Sequence, residues 1–234
     1  MWLLVGEIIK EEVRDFFKAG LKSGNKIYHI SPEDLRLANP TDRPLAGQDP
    51  AVSWVNVALQ KNSRRAKADA ALVKVRAQTK KMSLVEEANV LVGLLPQDRA
   101  GNCKEMAVLA GWAVLQHGFL KPDHIFKGLV SGRGDHAFCL LTPDNLPPKT
   151  SFPTVRDFIY SEHAVSWIII DPWLNVVCRV NHYLTAAGQK FEKWGGAGKR
   201  VWWDHGKVGP TWYPPQGEYR DVFGKAPLIL TPFG

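Results

Sequence analysis

The sequence is poor in cysteine, with only Cys103, Cys139 and Cys178 in 234 residues. So few, and an odd number, argue against a disulfide framework and leave at least one thiol free for chemistry. Long hydrophobic runs are also missing. The longest, such as Trp167–Ile170 and Val90–Leu95, are far too short to span a bilayer, so no transmembrane segment is expected. The first residues lack a basic n-region and Glu7 interrupts the apolar stretch, so no Sec-type leader is expected. Export by a machine that reads another signal is left open. No internal repeat is found.

What is present is an ordinary globular composition, 45% apolar and 23% charged, long enough for one core or for a core plus a small subdomain. The net charge of +7 is one patch. Residues 61–81 hold eight basic side chains (Lys61, Arg64, Arg65, Lys67, Lys74, Arg76, Lys80, Lys81) against the single acid Asp69, so the rest of the chain sums to zero. Such a patch attracts an anionic surface, an acidic partner or nucleic acid. It contains no aromatic side chains on which bases could stack, which disfavours nucleic acid. The plainer reading is a solvated helix face.

Helices are expected first. One runs from about Leu3 to Lys18. A Pro-, Asp- and Gly-rich stretch over 31–52 reads as a loop with a short helix after Ser31-Pro32. A longer helix is expected over 51–81, with Val52, Val55, Leu59, Ala66, Ala70, Val73 and Ala77 as its stripe. Ser83-Leu84-Val85-Glu86 is a capping-box pattern opening a helix that Pro96 stops. The strongest helix runs from Cys103 to about His117, with Asn102 as N-cap and Gly118 at its end. The period then changes to two, and strands are expected at 125–131, 136–141, 166–171 and 176–180. A Pro-rich excursion separates the second from the third, and 194–220 reads as irregular. Helices followed by an antiparallel sheet make an α+β protein. The boundary falls between an N-terminal helical region, 1–82, and a domain over 83–234.

Three residues carry the chemistry. Cys103 opens a helix whose N-terminus offers partial positive charge and unpaired N–H groups, which favour a thiolate and can hold an oxyanion. His136 opens a strand behind Gly132 and Gly134 and has the side chain suited to moving protons near neutrality. Asp171 ends an apolar strand, where a carboxylate needs a partner and can orient an imidazole. Each has a plainer alternative, as a core thiol, an edge histidine or a turn-former before Pro172. His163 is a rival base. A metal site from Cys103, His136, Cys139 and Cys178 is disfavoured, because 136 and 139 on a strand face opposite ways and no Cys-x-x-Cys pair exists. No metal or other cofactor is expected.

The pieces Asn102-Cys103-x-Glu105-x-Ala107, Asp135-His136-x-Phe138 and Asp171-Pro172-Trp173 resemble the papain-like effector and toxin cysteine enzymes. These include the YopT-type effector peptidases and the glutamine-deamidase domain of Pasteurella-type toxins. The resemblance covers residues 97–180. It implies a papain-like domain over 83–234, with the Cys103 helix packed on a sheet bearing His136 and Asp171. It also implies acyl-thioester chemistry on an amide. Gln97, six residues before Cys103, stands where such enzymes place an oxyanion-hole glutamine, with Asn102 or backbone amides as substitutes. The interval of 35 residues from His136 to Asp171 is longer than in those domains, which the excursion explains if it is an insertion.

The expected function is a thiol peptidase acting on protein, a secreted bacterial effector or toxin. A protein-glutamine deamidase or transglutaminase with the same triad is one alternative, and a non-catalytic basic-patch binding module is another. A protein substrate is the expected partner, and an immunity protein or inhibitor would accompany such a toxin. The expected location is outside the producing cell or in a target-cell cytoplasm, otherwise the cell's own cytoplasm. The five tryptophan and tyrosine residues between Trp194 and Tyr213 are read as packing.

Overall fold

The computed structural model describes residues 2–27, 64–132, 135–148, 150–162, 164–197, 199–204, 210–213, 215 and 223–234. The loop and short helix expected over 31–52, the first part of the helix expected from 51, and His163 lie outside them.

Helix α1 spans Trp2–Lys18. Val5, Ile9, Val13 and Phe17 fall every fourth residue and form its buried stripe. Helix α2 (Arg64–Thr79) buries Ala68, Ala71, Leu72 and Val75. Ala70, Val73 and Ala77 of the expected stripe face solvent. Alanines on every side of this helix leave its pattern ambiguous, and tertiary contacts decide the rotation. Helix α3 (Leu84–Val92) starts at the expected box: Glu86 N–H donates to Ser83 Oγ at 3.3 Å, and Ser83 N–H to Glu86 Oε2 at 2.8 Å. Helix α4 (Cys103–Gln116) is buried on nearly every side and gives way to Gly118 in the left-handed region, φ 67°.

Strands β2 (Ile125–Val130), β3 (His136–Leu141), β5 (Ile168–Asp171) and β6 (Val176–Arg179) fall where the period-two pattern placed them. With β4 (Ser151–Phe152) and β9 (Leu228–Pro232) they form a six-stranded open antiparallel sheet, ordered β4-β9-β2-β3-β5-β6. β3 and β5 pair directly, Cys139 opposite Ile170, although the excursion between them carries β4 and helix α5 (Val155–Ile159). Every residue of β3 is buried, as a central strand requires. Helix α4 crosses one face of β3, β2 and β5, and α1 lies against α4, β5 and β6. Contacts between the N-terminal helices and the sheet therefore cross residue 82. The arrangement is α+β. Among the described residues no helix is long and apolar enough to cross a membrane.

The 194–220 stretch is not irregular throughout. Helix α6 (Tyr183–Gly196) enters it, and β7 (Arg200–Asp204) and β8 (Pro210–Tyr213) pair with β1 (Lys26–Ile27) in a second, three-stranded sheet. The Gly- and Pro-rich composition hides strands whose partner lies at the other end of the chain. β9 is a further strand beyond those expected, pairing with β2 and β4 far away in sequence.

Candidate active site

The loop before α4 is held by the segment that follows α1. Leu21 N–H donates to Arg99 O at 2.8 Å and Gly101 N–H to Lys22 O at 3.1 Å, with Lys22 and Ala100 in a parallel bridge. A Cβ at Gly101 would lie 2.4 Å from the Phe17 ring, so only glycine lets the loop lie this close to α1. Asn102 then caps the helix. Its side-chain oxygen accepts from Ser23 Oγ (3.0 Å), Gly24 N–H (3.1 Å) and Asn25 N–H (3.3 Å). Cys103 is thereby fixed at the first turn, 8% exposed.

His136 stands at the start of β3 and Asp171 at the end of β5, and the structure brings both to Cys103. His136 Nε2 lies 2.7 Å from Asp171 Oδ2, and the Cys103 thiol is near enough to the imidazole to help raise its pKa. A carboxylate can only accept, so Nε2 carries the proton toward Asp171 and Nδ1 is left for a second partner. Asp171 is fully buried and satisfied. Leu174 N–H donates to Oδ1 at 2.9 Å, and the Tyr183 hydroxyl donates to Oδ2 at 2.7 Å beside the imidazole. Trp173 and Phe223 close over the ring with centroids 5.2 and 5.5 Å away, keeping water from the His136–Asp171 bond. Burial alone would lower the His136 pKa. The charge and hydrogen bond of Asp171, with a smaller contribution from Cys103, overcome it and raise the imidazole to about 10.

Tyr183 was not among the residues expected here, and nothing local marks it, twelve positions past Asp171 in an unanticipated helix. Tyr183→Phe removes one donor from a buried carboxylate. It is expected to lower stability by about 1.5–3 kcal/mol, read from urea unfolding at neutral pH. A change below about 0.5 kcal/mol would show that the hydroxyl is not needed there.

Glu105, two residues past the thiol, is also fully buried. Its carboxylate takes Arg76 Nε at 2.7 Å and Nη2 at 3.1 Å, and Oε2 accepts the Asn102 N–H at 3.0 Å. Burial works against the Arg76 charge, but Glu105 outweighs it and the pKa is raised. One member of the basic segment thus belongs to the support of the Cys103 helix. Lys26 is buried behind Trp173, donating to its carbonyl at 2.6 Å with Nζ 4.3 Å from the ring centroid.

Gln97 lies exposed in the 3-10 turn Pro96–Asp98, and the hydrogen bonds around Cys103 among the described residues do not include it. Asn102 has its oxygen committed to the 23–25 loop, which leaves its amide nitrogen and the backbone N–H groups of the first turn of α4 as donors. Among the described residues no three His, Cys, Asp or Glu side chains converge as metal ligands. Compared with protein-family models, with curated proteins and with solved structures, the chain matches none.

Proposed function

We propose that this chain is a cysteine hydrolase of protein amides, built on a papain-like plan. The single observation behind the reading is one buried imidazole that pairs with a buried carboxylate and lies within electrostatic reach of a helix-start thiol. Protonated His136 would hold the Cys103 thiolate, which attacks the amide carbonyl carbon. The carbonyl electron pair moves onto oxygen, where backbone N–H groups at the start of α4 can receive it. As the tetrahedral intermediate collapses, the C–N bond breaks and His136 gives its proton to the leaving amine or ammonia. The resulting thioester is attacked by water, whose proton passes to neutral His136. The acid is released, and the Cys103–His136 pair is restored. Asp171 keeps the imidazole in one tautomer and orientation throughout.

The same groups serve a peptide bond or a glutamine side chain; we favour the peptide bond. Host or neighbour-cell proteins cut into fragments would indicate the first. A gain of about one dalton on glutamine would indicate the second. In the effector or toxin role, such an enzyme would act outside the cell that makes it.

Limiting iodoacetamide near pH 6, followed by peptide mass mapping, tests the reading. Cys103 should label selectively, and much more slowly in His136→Ala. Its rivals are held as thiols: burial pushes Cys139 far up, and burial with the Asp171 charge pushes Cys178 up to about 12. Labelling of Cys103 no faster than a free thiol would sink the assignment and make the basic helix α2 the leading clue to a binding role.

A further inference from the structure

We propose that a basic pocket beside the Cys103–His136–Asp171 cluster takes an acidic side chain of the protein substrate, close to the amide that Cys103 attacks. This rests on the hydrolase reading above. The pocket has a volume of about 250 Å³, and its walls include Arg14, Lys18, Lys22, Lys26, Met106 and Pro172. Its place is set by the site. Met106 is one helical turn along α4 from Cys103, and Pro172 follows Asp171. Ser23, in the same wall, holds the Asn102 side chain at 3.0 Å.

Size and charge choose the ligand. Small-molecule sites usually enclose about 300–1,000 Å³, so this pocket suits one side chain better than a cofactor. Four of its lining residues are basic and none is acidic, and burial holds the Lys26 pKa well below that of a free lysine. Two acids on α1, Glu11 and Asp15, are engaged with lining cations. Arg14 Nε lies 3.5 Å from Glu11, and Lys18 Nζ lies 2.7 Å from Asp15 and 3.8 Å from Glu11. Even without Lys26, the three cations Arg14, Lys18 and Lys22 outnumber these two acids and leave the pocket positive. Lys22 is exposed, and its backbone at φ 64° is bridged to Ala100 in the loop before the thiol. A carboxylate docked between Lys22 and Lys18 is therefore anchored to the same segment that positions Cys103.

The test uses matched peptidyl chloromethyl ketones carrying Glu or Gln at each position before the electrophile, with Cys103 alkylation as readout. At one position the Glu reagent should react roughly tenfold faster than its Gln twin. In a Lys18→Ala/Lys22→Ala variant the ratio should fall toward one, and about 0.5 M salt should shrink it in the wild type. Equal Glu and Gln rates at every position, with fast labelling by neutral iodoacetamide, would overturn the subsite and leave the hydrolase standing. A Glu preference that survives the double variant would also overturn it. Slow labelling by iodoacetamide would remove the hydrolase reading and the subsite together.

Discussion

Arg76→Met is expected to destabilise the protein by about 3 kcal/mol, the lower end of the range for breaking a buried ion pair. Glu105 has no exposed side-chain surface, and Arg76 supplies two of the bonds that keep its charge tolerable there. Without the guanidinium, a carboxylate is left in the core two residues from the thiol. The lower end applies because the Arg76 side chain is 45% exposed, so water can partly replace it. In a chain of this size that corresponds to a loss of roughly 8 °C in Tm. Removing both charges together, as Arg76→Met/Glu105→Leu, should recover much of the loss. Recovery stays incomplete because the Asn102 N–H loses its acceptor, at a cost of about 1–3 kcal/mol. A single variant as stable as wild type, or a double variant less stable than the single, would show that the pair does not carry this load.

The second large effect is a reversal in how stability depends on pH. The folded pKa of His136 is raised from 6.5 to about 10, above its unfolded value. Its contribution is therefore fully present below pH 6.5 and is lost as pH rises toward and through 10. For a group 1% exposed the loss is on the order of a few kcal/mol. In Asp171→Asn the raising charge is gone and burial becomes the main influence, so the folded pKa should drop below the unfolded one. Stability from this group is then lost as pH falls through the unfolded value, the opposite direction. Urea midpoints across about pH 5 to 10 for both proteins measure this. Parallel slopes would falsify the placement of the proton between His136 and Asp171.

The parts of this molecule legible in the sequence are those specified locally. Ser83 with Glu86, Asn102 before Cys103, and Gly118 past the helix each announce a terminus through residues a few positions apart. The alternation in 125–141 did the same for the strands. That Cys103, His136 and Asp171 meet could be expected from their order on a helix start, a strand start and a strand end. What supports them could not. Tyr183, Arg76, Ser23 and Lys26 reach the site only through tertiary packing, and none stands in a spacing that distinguishes it from a surface residue. The buried face of α2 was misread for the same reason: alanine-rich turns carry little periodic signal, and the ion pair to Glu105 lies on a helix distant in sequence.

Strand β9 bears on the order in which the sheet folds. Residues 228–232 insert between β4 and β2, next to the strand that pairs with β3, and Phe233 N–H then donates to Ile125 O at 3.0 Å. Until that stretch is in place, β2 has a bare edge and the sheet behind His136 is unfinished. Contacts spanning so much of the chain form late. In refolding, the β3 end that carries His136 is thus expected to become protected from hydrogen exchange only once the 228–232 stretch has docked.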